Sequence, residues 1–163
     1  MKCSSTPLAA LLATDFSLSH RNPLGCSQAL TTCMDPILEK PNARDLADLT
    51  ALDMAGGQVA NTSNLANDNV FIFSGSLDSV VKSEVVQVTA EYYDLFIDSK
   101  RGGSVITEFN IKGEHCYPTN GTYGEACTQL GSPYIGKCNY DGAGISLRTL
   151  LGPERMGGLV HPP

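Results

Sequence analysis

The sequence predicts an α/β fold built around a strand–helix–strand unit. Two observations carry this. The unbroken apolar run "VFIF" at residues 70–73 reads as a strand buried on both faces, and "SVITEFNI" at 104–111 reads as a second strand. Between them, "EVVQVTAEYYDLFIDSK" sets Val85, Val88, Tyr92 and Phe96 along one helical face. Two strands joined by a helical crossover within about forty residues are parallel neighbours.

The chain has 163 residues, enough for one domain with its own core. Residues 1–41 read as loop-rich, broken by Pro7, Pro23, Pro36 and Pro41. The start, "MKCSSTPLAALLATDFS", has a short apolar run from Pro7 to Ala13, at the lower limit for a secretory leader. A helix is expected from Asn42, which can cap it. Leu46, Leu49 and Leu52 recur at helical spacing and Gly56 ends it. The polar stretch "QVANTSNLANDN" then leads to the first strand. After the turn "SGSLDSVV", Ser83 is expected to cap the crossover helix. Lys100 and Arg101 fall in its last turn, with Gly102 as the stop. The end, "LLGPERMGGLVHPP", reads as a helix terminus followed by a flexible tail.

The formal net charge is −6, the wrong sign for the basic footprint that nucleic acid requires. The acidity reads as solubility. No stretch reaches the 18 or so apolar residues of a membrane span. Six cysteines are present: Cys3, Cys26, Cys33, Cys116, Cys127 and Cys138. None has the spacing of a zinc site, so no metal is expected. Cys26 and Cys33 flank a short polar loop; Cys127 and Cys138 flank "TQLGSPYIGK". Two local disulfides are the simplest reading, each stabilising by roughly 2–3 kcal/mol in the chain-entropy model. Buried free thiols are the alternative. Asn61 and Asn120 begin N-glycosylation sequons, consistent with an extracellular or secretory-pathway protein.

Parallel strands send their carboxyl ends to one edge of the sheet, where open α/β folds place their ligands. Asp78 follows the first strand and His115 follows the second. Adjacent strands lie about 4.8 Å apart, so the two loops can bring the carboxylate to the imidazole. An acid and a histidine so placed are two-thirds of a nucleophile–His–acid triad. Asp78 would orient the ring, and His115 would move the proton. The plainer alternative is a turn Asp bonded to nearby backbone, beside a solvated loop histidine. Cys116 adjoins His115, but adjacent side chains in extended chain do not face each other, which argues against it as a nucleophile. Glu114 either tunes the pKa of His115 or is a solvated loop acid, the second being the plainer reading. Tyr134 and Tyr140 either line a cleft or pack beneath the cysteine loop.

The segments "GCSQALTTCM", "NDNVFIFSGSLDSVV", "EHCYPTN" and "SPYIGKCNYDGAG" together resemble the C-terminal half of the poly(3-hydroxybutyrate) depolymerase-like esterases, from Gly25 to Gly152. The resemblance implies a partial α/β-hydrolase fold: the βαβ unit, a disulfide-stapled loop and a final helix. It assigns residues 25–152 to that fold and leaves residues 1–24 as an unmatched, irregular N-terminus, with 153–163 as tail. It makes Asp78 the triad acid and His115 the triad base, and it pairs Cys26 with Cys33 and Cys127 with Cys138. The implied substrate is an ester or polyester of short-chain hydroxyalkanoate type, hydrolysed without metal or organic cofactor.

The family also needs a G-x-S-x-G elbow, which holds the nucleophilic serine on a tight strand-to-helix turn. "GCSQA" lacks the second glycine, "GISLR" ends in arginine and follows His115, and "SGSLD" sets Ser76 beside the acid. The expectation is therefore a C-terminal portion that carries the acid and histidine without the serine, and that is inactive alone. The alternative is a non-catalytic secreted binding module or a truncated relic.

Overall fold

The computed structural model describes residues 33–36 and 40–152. The expectations for residues 1–24, for Cys3 and Cys26, and for the tail at 153–163 lie outside them. In chain order the elements are helix α1 (Ala43–Ala55), strand β1 (Asn69–Phe73), helix α2 (Ser83–Asp94) and strand β2 (Ser104–Glu108). Three short strands follow, β3 (Tyr117–Thr119), β4 (Glu125–Ala126) and β5 (Ile135–Lys137), and then helix α3 (Gly142–Leu151).

Strands β1 and β2 are parallel and in register from Asn69 opposite Ser104 to Phe73 opposite Glu108. Helix α2 is their crossover, as the apolar pattern requires. It buries two stripes. Val86 and Ala90 join Ile72 of β1 and Val81 in one cluster. Val88 and Tyr92 join Ala43 of α1 in a second. Full burial of a valine side chain contributes about 1.5–3 kcal/mol, so α2 is the keel of the domain. One polar bond ties the helices: the Tyr92 hydroxyl lies 2.8 Å from Thr50 Oγ1, which donates to the Leu46 carbonyl.

Helix α1 starts as expected. The Asn42 side chain accepts from the Arg44 and Asp45 N–H groups, satisfying two donors that the helix cannot. Helix α2 departs from expectation at both ends. Ser83 is its first residue rather than its cap; Lys82 holds the cap position and makes no side-chain cap bond. The helix stops at Asp94. Asp98 then accepts from the Lys100 N–H and starts a separate 3-10 turn, Ser99–Arg101, so Lys100 and Arg101 lie outside α2. Gly102, at φ 88°, ends that turn in the left-handed conformation glycine favours. Strand β2 stops at Glu108 instead of Ile111, because the Glu108 carboxylate accepts the Asn110 N–H and turns the chain.

Strand β1 is not buried on both faces. Only Ile72 is buried; Val70, Phe71 and Phe73 are half-covered, although α2 and α3 both pack on the strand. A two-stranded sheet has too little area to be sealed on two faces, and Ile106 of β2 is left exposed. The short strands form a second parallel sheet in the order β3-β5-β4. Helix α3 packs on β3, where a Cβ at Gly142 would press 2.8 Å from the Pro118 carbonyl oxygen. Asp141 caps α3 by accepting the Gly144 N–H at 2.9 Å.

Candidate active site

The site forms where β1 and β2 end. The two chains stay paired past the strands: the N–H groups of Ser74, Ser76 and Leu77 donate to the carbonyls of Glu108, Ile111 and Gly113. This zipper carries Asp78 and His115 to the same edge of the sheet. Asp78 Oδ2 lies 2.9 Å from His115 Nδ1. Its other oxygen, Oδ1, accepts the Val80 and Val81 N–H groups at 2.9 and 2.8 Å. One oxygen of Asp78 thus closes the local turn, as the plainer sequence reading expects, and the other meets the imidazole.

An ionised carboxylate can only accept, so the proton of a neutral His115 belongs on Nδ1. That leaves Nε2 free to take a proton. The Asp78 side chain is 8% exposed and the His115 side chain 40%. The acid is shielded, which strengthens the pair, while the ring stays open to a reacting group.

Beside this pair lies a contact that the sequence did not announce. Glu114 Oε2 accepts from the Ser79 N–H and hydroxyl, each at 3.1 Å, and from the His115 N–H at 2.9 Å. Burial pushes the Glu114 carboxyl up, but these hydrogen bonds and the nearby His115 outweigh it and hold the carboxyl below its ordinary value. Glu114 is thus a brace between the loops as well as a largely solvated acid. The signal available in the sequence was its register: Ser79 and Glu114 are the neighbours of Asp78 and His115 in two parallel-strand loops.

The His115 loop is fixed from its far side. The Glu114 N–H donates to the Cys127 carbonyl at 2.8 Å, and Cys127 is disulfide-bonded to Cys138. Cys33, the partner expected for Cys26, is buried. Cys116 carries a free thiol. Burial pushes that thiol up, and the charges of Asp78 and Glu114 add to the shift, so the thiolate is disfavoured beside His115. Tyr140 stacks on Phe73 at 6.1 Å between ring centroids and is half-buried; Tyr134 is exposed. Ser76 is exposed in the turn before Asp78, and Ser146 lies on α3, its hydroxyl donating to the Ala143 carbonyl. Among the described residues no cluster of three His, Cys, Asp or Glu side chains could hold a metal ion. None of their helices is long and apolar enough to cross a membrane.

No family model matches the chain. Two curated relatives do. The chain is 41% identical over 96 residues to a poly(3-hydroxybutyrate) depolymerase of Delftia acidovorans, covering 59% of this chain and 19% of that protein. It is 30% identical over 144 residues to a polyhydroxybutyrate depolymerase of Talaromyces funiculosus, covering 84% of this chain and 40% of that protein. The chain therefore spans less than half the length of either. Among solved structures, it is similar to a PHB depolymerase complexed with an R3HB trimer, with a TM-score of 0.61 and 30% identity over 75% of this chain and 37% of that one. A PHB depolymerase from Penicillium funiculosum gives a TM-score of 0.59 and 27% identity over 77% of this chain and 37% of that one.

Proposed function

We propose, from the relationship of this chain to the C-terminal half of the poly(3-hydroxybutyrate) depolymerase-like esterases, that it supplies the acid–base half of a serine-esterase active site. We assign residues 25–152 to that part of the α/β-hydrolase domain, of which residues 33–36 and 40–152 are described. His115 Nε2 takes the proton from a serine hydroxyl as it attacks an ester carbonyl, then returns it to the leaving alcohol. Asp78 holds the ring through Nδ1 and stabilises its protonated form. Histidine suits both steps because its ordinary pKa lies near neutral pH.

One observation carries the reading: the 2.9 Å contact between Asp78 Oδ2 and His115 Nδ1 at the carboxyl edge of two parallel strands. The substrate class, short-chain hydroxyalkanoate esters, is supported by the printed names of the relatives and by the R3HB trimer bound to one of them. The disulfide and the exposed sequon residues Asn61 and Asn120 support an extracellular or secretory setting with N-glycans. No G-x-S-x-G occurs in the 163 residues, and this reading takes the nucleophilic serine from outside them.

The test is hydrolysis of p-nitrophenyl butyrate by this chain and by a version extended upstream with a G-x-S-x-G segment. The extended protein hydrolyses the ester, and His115→Ala lowers its rate by on the order of a thousand-fold. Hydrolysis by the short chain that survives His115→Ala would sink the idea.

The missing elbow favours a second reading, a binding module without turnover. Sedimentation of the chain with polyester granules, with no release of hydroxyacid, would support it.

A further inference from the structure

We infer that Glu114 is a positioning residue, whose carboxylate clamps the Asp78 loop to the backbone of His115 and so fixes the imidazole on Asp78. The inference rests on the acid–base reading of that pair and deepens it.

The geometry is a double cross-link. Asp78 and Ser79 are consecutive on one loop; Glu114 and His115 are consecutive on the other. Asp78 reaches His115 by side chain alone. Glu114 reaches both loops through one oxygen, taking two donors from Ser79 and one from the His115 backbone. The imidazole is 40% exposed, so packing alone does not set its torsions. What remains to orient it is the Asp78 bond, and that bond needs the two backbones held at a fixed separation. Hydrogen bonding also keeps Glu114 ionised against the effect of burial.

The readout is the tautomer of His115, seen in the ring nitrogen shifts of the folded chain by NMR at mildly alkaline pH. In the parent the Nδ1–H form dominates, because Asp78 accepts there. Glu114→Ala raises the Nε2–H share several-fold, while amide shifts in α1 and α2 stay in place. Glu114→Gln keeps an oxygen for the His115 N–H and retains most of the parent ratio. Ser79→Ala removes only the hydroxyl donor and gives a smaller shift in the same direction, which carries the test where Glu114→Ala does not fold. An unchanged tautomer ratio in Glu114→Ala, or in Ser79→Ala where that variant stands in for it, overturns the inference. So does equal loss in the Gln and Ala variants, since that assigns the effect to charge and not to geometry. The tautomer is read without any ester, so hydrolysis that ignores His115→Ala would remove the catalytic reading and leave this signature untouched.

Discussion

Gly75 and Gly113 lie so close that a Cβ on Gly75 would overlap the Gly113 carbonyl oxygen. That carbonyl also accepts the Leu77 N–H at 3.0 Å. The loops bearing Asp78 and His115 can approach only because position 75 has no side chain. Gly75→Ala is expected to cost about 1–3 kcal/mol, the range for overpacking a site that cannot relax. Urea titration checks the energy. The Asp78–His115 bond should lengthen with it, visible as a change in the His115 ring nitrogen shifts.

The Cys127–Cys138 disulfide closes an 11-residue separation beside the His115 loop. Replacing both cysteines with serine should lower stability by about 2–3 kcal/mol in the chain-entropy model. Because the Glu114 N–H is bonded to the Cys127 carbonyl, hydrogen exchange at Glu114 should quicken more than at α2. Uniform quickening across the domain would mean that the bridge stabilises the fold without anchoring the site.

Helix α2 joins the two clusters, so its buried valines should dominate a mutational scan. Val86 and Val88 are each 2% exposed. Either valine replaced by alanine should cost about 2 kcal/mol, from lost burial plus the cavity left behind. Tyr92→Phe removes only the donor to Thr50, whose hydroxyl stays bonded to Leu46, and should cost about 1 kcal/mol. Denaturant midpoints at constant slope check both.

Acid should weaken the brace in a definite window. The folded Glu114 carboxyl lies below its ordinary 4.5, as the hydrogen bonds to His115 and Ser79 outweigh the effect of burial. Its stabilising contribution is therefore fully present above 4.5 and is lost as pH falls through the lower folded value. The group is largely solvated, so the effect is small. The stability gap between the parent and Glu114→Gln should hold above 4.5 and shrink as pH falls through the lower folded value, read from urea midpoints. A gap that widens on acidification would reverse the sign argued here.

The β1–α2–β2 unit was legible because two periodicities met. An apolar run marked β1, and valines and aromatics at helical spacing marked α2. The end of α2 was not legible. "DLFIDSKR" continues a helical pattern, yet Asp98 accepts the Lys100 N–H and diverts the chain into a separate turn. Strands β3, β4 and β5 are two or three residues long, too short to show alternation, and two of them carry Pro118 and Gly136. The meeting of Asp78 with His115 followed from parallel topology alone. The Glu114–Ser79 contact obeyed the same topology, but a glutamate beside a histidine has many unremarkable uses, and only the fold shows where its carboxylate goes.

The most direct test of the catalytic reading is p-nitrophenyl butyrate hydrolysis by the serine-bearing extended protein and its His115→Ala and Asp78→Asn variants. The expected result is turnover by the parent, a loss on the order of a thousand-fold in either variant, and none by the 163-residue chain alone. Turnover that persists at the parent rate in His115→Ala would contradict it.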